Sequence, residues 1–386
     1  MIRKVCVITG SRADYGIISE LLKEINKSKK LRLVLVVCNM HLQKKFGDTI
    51  KDIKKDNLKV DYIIKNFPKG NKDIDIINAF SEGTSKFGKI FKKIEPDIVL
   101  LTGDRFEMLS AAISSTYLNI PIAHIHGGEL TYGSLDDYNR HMITKLSNLH
   151  FAATKLSKKR VIQLGENPKD VYHVGGLGSY NLSKEKLLSK DAIEKKLKRK
   201  LLIHNILITI HPEISENKKE FLSKIKVVLG SIKFFRKSLK IFTASNSDLG
   251  GDLINQEIIK FVRKDNNSIF VKNLGRKKYL SLMKFVTCLL GNSSSGLLEA
   301  PMFKTPVINI GKRQYGRESS DCVVNVGYDK KKIIKAVQNL SSSKFKQKVK
   351  NSKNFYYKKD TLKNILNILE KTNHKFSFKK FYDLIY

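Results

Sequence analysis

Short apolar runs alternate with amphipathic helical patterns along most of the chain. In the first half, residues 5–8, 98–101 and 122–125 predict buried strands. A hydrophobic period of 3.6 residues over 15–26 and 76–94 predicts helices between them. This alternation is typical of a parallel sheet that is covered by helices on both faces.

The same pattern restarts after a polar, lysine-rich stretch at residues 182–200. A chain of 386 residues also exceeds the size at which single hydrophobic cores stop growing. We therefore predict an α/β fold of two doubly wound, Rossmann-like domains, residues 1–180 and 200–365, that face a central cleft. The pattern from residue 361 onward predicts a C-terminal helix, of which 366–386 would cross back to the first domain.

The chain is strongly basic, with a net charge of +37. Only 12 of its 73 basic residues are arginines, and the lysines are scattered over nearly every predicted helix and loop. Nucleic-acid binders usually cluster their basic residues and use arginine for phosphate and base contacts. A codon bias toward lysine explains this composition better than nucleic-acid binding, which stays as an alternative supported by charge alone. The excess charge would help to attract an anionic substrate.

Other bulk features predict a cytoplasmic protein with no membrane segment. No apolar run approaches the roughly 20 residues that a membrane-spanning helix needs. The N-terminus enters a strand pattern directly, without the apolar region of a secretory signal. The four cysteines show no C-x-x-C spacing, and three lie in apolar runs where reduced, buried thiols are expected.

Two acidic loops follow neighbouring predicted strands. The first, L-T-G-D-R-F-E at 101–107, contains Asp104; the second, H-I-H-G-G-E-L-T-Y-G-S-L-D-D-Y-N-R-H at 124–141, contains Glu129 and Asp136. Ligands of open α/β sheets bind beyond the carboxyl ends of the strands, so we expect these carboxylates in one cleft. Crowded carboxylates repel one another, which separates their pKa values into acid and base roles. Such groups suit removal and return of a proton on carbon and loss of a leaving group.

Helix starts provide a simpler explanation for some of these acids. Aspartate is common at helix N-caps, so one of Asp136 and Asp137 would cap the helix that starts near Tyr138. Glu107 is interpreted as a helix-start residue, and Asp137 as a cap or supporting group.

The loop after the first strand reads T-G-S-R-A-D-Y-G at residues 9–16. It lacks G-x-G-x-x-G, which disfavours a nicotinamide cofactor. Arg12 places a guanidinium suited to phosphate or carboxylate at the mouth of the sheet. An ordinary turn with a surface arginine explains this loop equally well.

The loop G-N-S-S-S-G-L-L-E-A at 291–300 brackets three serines with glycines just before a helix. Helix N-termini bind phosphate, and serine hydroxyls such as those of Ser293 and Ser294 add donors. A simple N-cap needs fewer serines, so we favour a diphosphate site. Glu299 would reach ribose hydroxyls, and Arg313 and Arg317 follow a later strand.

His211 follows the predicted strand at 205–210, and Asn246 and Asp248 follow the next one. A lone histidine after a strand is often structural, but the cleft side favours a role as phosphate ligand or acid. No H-E-x-x-H or other metal-ligand spacing occurs, so we predict no metal.

A series of motifs covers nearly the whole chain in order: S-R-A-D-Y-G (11–16), M-H-L-x-x-x-F-G (40–47), T-G-D-R-F-E (102–107), H-G-G-E…D-D-x-x-R-H-x-I-T-K-L-S (126–147), H-P (211–212), N-x-D-x-G-G (246–251), L-G-R-K-x-Y-L (274–280), G-N-S-S-S-G (291–296) and T-P-V-I-N-I-G-x-R-Q-x-G-R (305–317). In these motifs the chain resembles the hydrolysing UDP-N-acetylglucosamine 2-epimerases of sialic acid biosynthesis. The family has the two-domain fold of the GT-B glycosyltransferases, with the active site between the domains.

The resemblance implies anti elimination of the nucleoside diphosphate to a 2-acetamidoglucal, followed by addition of water, with no metal or redox cofactor. It implies a homo-oligomer, a nucleotide-sugar substrate and three groups of site residues. The acid/base set is Asp104, Glu129 and Asp136. The nucleotide-binding set is Arg12, His211, Ser293, Ser294, Glu299 and Arg313, with Asn246 and Asp248 on the same rim. His41 and Arg105 would support the sugar.

One departure concerns the substrate. The usual T-G-M-H is here Cys38-Asn39-Met40-His41, so a glycine is lost beside the substrate histidine. Relatives act on UDP- or GDP-linked 2,4-diacetamido-trideoxy sugars, so the first alternative is the same reaction on such a substrate. The other alternative functions are a non-hydrolysing epimerase and a GT-B glycosyltransferase.

Overall fold

The computed structural model describes residues 2–43, 47, 49–70, 72–132, 134–213, 218–245, 250–371 and 379–384. Contacts divide the chain into two compact units. The first unit contains Met1–Glu129, Leu135–Asn181 and Tyr356–Tyr386, and the second contains Leu130–Ser134 and Leu182–Phe355.

Thirteen strands lie in the described part of the chain: β1 Arg3–Thr9, β2 Leu31–Cys38, β3 Tyr62–Ile64, β4 Ile98–Thr102, β5 Ile122–Ile125, β6 Leu149–Ala152, β7 Val171–His173, β8 Asn205–Thr209, β9 Leu239–Thr243, β10 Ser268–Val271, β11 Cys288–Gly291, β12 Val307–Ile310 and β13 Val323–Val326.

Fifteen α-helices lie in the same part: α1 Arg12–Lys27, α2 Ile50–Lys55, α3 Asp73–Ile94, α4 Phe106–Tyr117, α5 Leu135–Leu146, α6 Lys155–Gln163, α7 Leu177–Lys184, α8 Lys190–Leu197, α9 Lys218–Ile232, α10 Gly251–Val262, α11 Arg276–Met283, α12 Ser295–Leu298, α13 Lys330–Asn339, α14 Ser343–Asn351 and α15 Thr361–Lys371.

Each unit is built on one parallel sheet. The first has the strand order β3-β2-β1-β4-β5-β6-β7, and the second has the order β10-β9-β8-β11-β12-β13. The paired strands within both sheets run parallel. Both orders are those of doubly wound Rossmann folds, which confirms the predicted fold class.

The strand order reverses between β1 and β4 in the first sheet and between β8 and β11 in the second. Loops that leave these strands in opposite directions open a crevice at the carboxyl end of the sheet, which is where ligands bind in this architecture. The segments that follow these four strands are therefore the candidates for ligand contact.

Alternation along β1 shows why the first sheet is covered on both faces. Val5 and Val7 belong to one buried cluster, whereas Cys6 and Ile8 belong to the cluster on the other face. All four side chains are fully buried. A strand buried on both sides reads as a continuous apolar run, as expected for parallel sheets.

The C-terminal helix α15 packs in the first unit. Leu362, Ile365 and Leu369 join the buried cluster that contains helix α1. The sequence predicted a helix over residues 366–386. This prediction is wrong for residues 379–384, which are not helical. The backbone of this segment instead forms a hydrogen bond to another loop of the first unit: the N–H of Tyr382 donates to the carbonyl of Gly165 (3.0 Å).

No helix in the described ranges is long and apolar enough to cross a membrane.

Candidate active site

The predicted acidic residues follow neighbouring strands of the first sheet, beside its switch point. Asp104 and Arg105 come directly after β4 and Gly103, and Glu129 follows β5. Arg12 begins α1 just after β1. These groups from three strands share the carboxyl edge of one sheet, as the sequence predicted.

Arg140 of α5 links the two acidic loops. Its guanidinium is almost completely buried and donates to Asp104 Oδ2, to Asp137 Oδ1 (3.0 Å) and to the backbone carbonyl of Glu129 (2.8 Å). A planar fork with several donors can hold such groups in fixed relative positions. Asp104 and the Glu129 segment are therefore joined by one buried cation.

Glu129 has a histidine partner of its own. His126 Nδ1 lies 2.6 Å from Glu129 Oε1, and the carboxylate side chain is only 8% exposed. His126 adopts φ +70°, and Gly128 adopts φ +75° where a Cβ would overlap the backbone of Ser157. A left-handed backbone is disfavoured for residues with a side chain, so the folded loop holds His126 in a conformation that it would otherwise rarely adopt. A carboxylate paired with an imidazole is suited to accept or donate a proton.

His124 fixes the loop that carries Asp104. Its Nε2 donates to the carbonyl of Gly103 (2.8 Å), and its Nδ1 lies 3.2 Å from Thr144 Oγ1. Burial lowers the pKa of His124 to about 3, so the ring is neutral at pH 7. His124 therefore acts as a support for the loop.

Arg105 stands at the centre of a second charge cluster. Its Nε donates to Glu107 Oε1 (2.8 Å), and Glu107, Asp14 and Asp136 together raise its pKa against the effect of burial. Burial raises the pKa of Asp14 to about 6, although Arg105 and the hydroxyl of Ser11 oppose this shift. Asp136, in the first turn of α5, lies within electrostatic range of Arg105.

His41 is fully buried between two threonines. Its Nε2 lies 2.9 Å from Thr9 Oγ1, and its Nδ1 lies 2.7 Å from Thr49 Oγ1. Burial lowers the pKa of His41 to about 4. The sequence suggested contact with the sugar, but both ring nitrogens bind protein hydroxyls here.

Arg12 is the most open of the predicted residues in this unit. Its side chain is 57% exposed, and its Nε lies 3.6 Å from Asp52 Oδ2. An exposed guanidinium at the start of α1 is available to an anionic ligand.

In the second unit, Asn292 connects three predicted elements. Its side chain accepts from the N–H of His211 (2.7 Å) and donates to the carbonyl of His211 (2.9 Å). Its own carbonyl accepts from Gln314 Nε2 (3.0 Å) and from Arg313 Nη1 (3.4 Å). Burial and the charge of Arg313 lower the pKa of His211 to about 3. Thus the ends of β8, β11 and β12 meet around one buried asparagine.

The serine loop is organised by hydroxyl contacts. Ser295 Oγ donates to Ser293 Oγ (3.0 Å) and lies 2.7 Å from the hydroxyl of Tyr279. Ser294 precedes the short helix α12 without a capping side-chain bond. At Gly291, φ is +139° and a Cβ would overlap the carbonyl of Thr209, so only glycine fits this crossing of β8 and β11.

The remaining predicted residues of the second unit differ in their surroundings. Burial raises the pKa of Glu299, and Arg276 opposes that shift. Arg317 donates from Nε to the carbonyl of Leu130 (2.5 Å) and from Nη2 to Thr131 Oγ1 (2.9 Å). Two further predicted residues, Asn246 and Asp248, lie outside the described residues.

No group of three or more histidine, cysteine, aspartate or glutamate residues within the described ranges could hold a metal ion. All four cysteines are buried and free. The side chains described above offer carboxylates, imidazoles, hydroxyls and guanidiniums for binding and proton transfer.

Sequence reasoning missed Arg140, Asn292 and Tyr279 as members of these clusters. Each lies in a motif quoted above, yet most of the partners are distant: those of Arg140 lie 3, 11 and 36 residues away, those of Asn292 21–81 residues and those of Tyr279 16–70 residues. Motif spacing does not reveal these contacts, because most of the partners come together only in the folded sheet.

Comparison with known proteins identifies relatives along nearly the whole chain. The chain is 36% identical over 386 residues to the polysialic acid biosynthesis protein P7 of Escherichia coli, covering 99% of this chain and 98% of the relative. It is 38% identical over 349 residues to the hydrolysing GDP/UDP-N,N'-diacetylbacillosamine 2-epimerase of Campylobacter jejuni, covering 89% of each.

Solved structures agree on the fold. The crystal structure of UDP-GlcNAc 2-epimerase from Neisseria meningitidis, bound to UDP-GlcNAc, superposes with a TM-score of 0.81 at 20% identity, covering 96% of this chain and all of that one. A family model described as UDP-N-acetylglucosamine 2-epimerase matches residues 23–370. The chain therefore belongs to the UDP-N-acetylglucosamine 2-epimerase family.

Proposed function

We propose that this protein is a hydrolysing 2-epimerase that converts UDP-N-acetylglucosamine and water to N-acetylmannosamine and UDP, as a step toward sialic-type acids. The observation that carries the proposal is the carboxylate set after β4 and β5. Asp104 and the Glu129 segment share the buried Arg140, while Asp136 lies within electrostatic range of Arg105.

The reaction needs one proton to leave C2 and the diphosphate to leave C1. Anti elimination breaks the C2–H and C1–O bonds and forms the C1–C2 double bond of a 2-acetamidoglucal. Water then adds at C1, and a proton returns to C2 on the opposite face. Asp104, Glu129 and Asp136 supply the acid and base groups, and no redox step occurs.

The relay between His126 and Glu129 supports a role in proton transfer. A proton taken up by the Glu129 carboxylate can pass to an imidazole 2.6 Å away, and the net charge of the pair is unchanged by that transfer. We assign the first proton transfer to the acid/base set as a whole, because all three carboxyl groups lie after adjacent strands.

The second unit is proposed to hold the nucleotide. Ser293, Ser294 and Arg313 supply donors for the diphosphate, and burial together with the nearby charge of Arg313 lowers the pKa of His211. Glu299 is assigned to the ribose hydroxyls. A neutral imidazole and a guanidinium are both donors that suit diphosphate oxygens.

A second candidate substrate is a UDP- or GDP-linked 2,4-diacetamido-trideoxy sugar. The relative at 38% identity carries that specificity in its name, GDP/UDP-N,N'-diacetylbacillosamine 2-epimerase. The chemistry at C1 and C2 is the same, so the carboxylate set serves either substrate. The pocket for the substituents at C4 and C6 would differ and, for a GDP-linked sugar, so would the pocket for the base.

Turnover in D₂O tests the reaction class. We expect free N-acetylmannosamine deuterated at C2, together with UDP, when the protein is incubated with UDP-N-acetylglucosamine. Intact UDP-N-acetylmannosamine would identify a non-hydrolysing epimerase instead. If that substrate is inert, release of UDP or GDP from the diacetamido nucleotide sugars would support the second candidate. Transfer of the sugar only to an added acceptor would contradict both.

Removing single carboxylates tests the assignment. Asp104→Asn and Glu129→Gln should each lower kcat by roughly 10²–10⁴-fold, the usual range for loss of a general acid or base. Asp191→Asn, at an exposed position in the first turn of α8, is the matched control and should keep full activity. Near-normal turnover by both site variants, with unchanged thermal unfolding, would reject the assignment.

A further inference from the structure

Glu107 is a buried carboxylate with no role in the proposed reaction. It lies in the first turn of α4 as the sequence predicted, yet its side chain is 0% exposed. Its Oε1 accepts from Arg105 Nε (2.8 Å), whereas Oε2 is buried without a hydrogen-bond partner among the described residues. Burying a carboxylate is costly unless it is paired, so its retention calls for an explanation.

The backbone around Glu107 is shaped to admit it. A Cβ on Gly10, which directly follows β1, would overlap Glu107 Oε1. Because β1 pairs with β4, the carboxylate lies between the ends of the two strands that flank the switch point. The side chain therefore reaches from the start of α4 to the loop after β1, at the switch point where ligands bind in this architecture.

Arg105 is held from one side only. Its Nε is bound by Glu107, and its two terminal nitrogens make no hydrogen bond within the described part of the chain. The side chain remains 35% exposed. A guanidinium anchored at Nε keeps its terminal fork free for a second ligand, and Asp136 lies within its electrostatic range.

We propose that Glu107 is a positioning residue that anchors Arg105, so that the free end of the guanidinium faces Asp136 and the sugar. This inference rests on the proposed function, in which Asp136 belongs to the acid/base set. Glu107 itself touches no reacting atom and acts only through Arg105. Its place in the T-G-D-R-F-E motif then reflects a need for a fixed cation beside the reacting carbons.

A double-mutant cycle on kcat tests this dependence. Glu107→Ala should lower kcat by about 10–100-fold with little change in KM, because misplacement of a positioned group by about 1 Å costs that much. Glu107→Gln keeps an oxygen acceptor for Arg105 Nε and should recover most of the lost rate. In an Arg105→Ala background, Glu107→Ala should cause no further loss.

Matched variants exclude a purely structural role. Glu82→Gln changes an exposed glutamate of α3 in the same unit and should leave kcat unaltered. Additive losses from Arg105→Ala and Glu107→Ala would overturn the proposal. Failure of Glu107→Gln to recover the rate while its thermal unfolding matches the wild type would also overturn it.

A measurement without turnover separates this inference from the proposed function. The Nε–H of Arg105, bonded to a buried carboxylate, should give a slowly exchanging ¹H–¹⁵N NMR signal that disappears in Arg105→Lys. We expect the signal to persist in Glu107→Gln and to exchange rapidly in Glu107→Ala. Fast exchange in the wild type would overturn the anchor even if turnover is normal. A protected signal in a protein without 2-epimerase activity would refute only the proposed function.

Discussion

Asn39 is the residue that departs from the family motif beside the substrate histidine. It follows β2, where the resemblance expects glycine, and it takes a left-handed backbone with φ +50°. Asparagine tolerates this conformation better than most residues with a side chain. Its side-chain amide is fully buried, and neither amide atom finds a hydrogen-bond partner among the described residues. The departure therefore keeps the turn but leaves a polar group unsatisfied.

Substitutions at Asn39 should separate backbone from side-chain effects. Asn39→Gly relieves the left-handed strain and removes an unsatisfied amide, but glycine loses more backbone freedom on folding, at a cost of roughly 0.5–1 kcal/mol. Because these effects oppose each other, we expect its free energy of unfolding to stay within about 1 kcal/mol of wild type. Asn39→Ala keeps a Cβ in the left-handed region and should lose about 1–2 kcal/mol relative to Asn39→Gly. Denaturant unfolding of the three proteins measures the difference. Equal stability of the alanine and glycine variants would show that the backbone is not strained.

Among the elements, the strands were the most predictable. The apolar run at 122–125 became β5 without change, and the run at 98–101 became β4 with one more residue. Continuous apolar runs identify buried parallel strands because both faces are covered. The carboxylates after these strands could be placed for the same reason.

Elements that depend on distant partners were not predictable in this way. The hydrophobic period suggested helix through residue 386, yet α15 ends at Lys371 and residues 379–384 are bound to the loop at Gly165. Glu107 was interpreted only as a helix-start residue, and Arg140 was not singled out. Their contacts depend on loops that come together only in the folded sheet.

The C-terminal tail is anchored by a buried ionic cluster. Lys379 Nζ donates to Glu166 Oε2 (2.6 Å) and to the carbonyl of Ser147 (2.6 Å), and His150 Nε2 lies 3.0 Å from the same carboxylate oxygen. Burial opposes ionisation of Glu166, but the hydrogen bonds from His150 and Lys379 prevail and lower its pKa. The tail therefore depends on the charge of Glu166, which Lys145 also contacts.

Loss of the lysine should destabilise the first unit in a pH-dependent manner. Lys379→Met should lower the free energy of unfolding at pH 7 by about 1.5–3 kcal/mol, the value of a hydrogen bond to a charged group. A lowered folded pKa means that the contribution of Glu166 is present above its ordinary pKa, near 4.5, and is lost as pH falls through the folded value. The difference from wild type should therefore shrink below about pH 4.5.

Lys380→Met supplies the control for this comparison, because Lys380 is exposed next to Lys379. Denaturant titrations at several pH values should show almost no effect of the control substitution. Equal destabilisation by both substitutions would indicate a general effect of charge on the tail. A difference that is constant with pH would show that Glu166 is not the partner that matters.

On the scale of the whole molecule, the net charge of +37 has a consequence for substrate capture. A nucleotide sugar carries its negative charge on the diphosphate, and a strongly positive protein draws such an anion by long-range attraction. The Debye length falls from about 10 Å at 0.1 M salt to about 3 Å at 1 M, which screens distant lysines before it affects direct contacts. Dispersed lysines would then contribute to capture without touching the ligand.

Salt and distant charge reversal should therefore act on the same kinetic constant. We expect KM for the nucleotide sugar to rise several-fold between 0.05 and 0.5 M KCl, on the general scale of electrostatic steering, with kcat nearly constant. Lys331→Glu and Lys335→Glu, two exposed changes on α13, should raise KM at low salt and reduce its salt dependence. Lys331→Gln and Lys335→Gln should give about half of that effect, because each removes one charge where glutamate reverses it. If KM responds to salt but not to these distant changes, local contacts account for capture, and the lysine excess reflects composition alone.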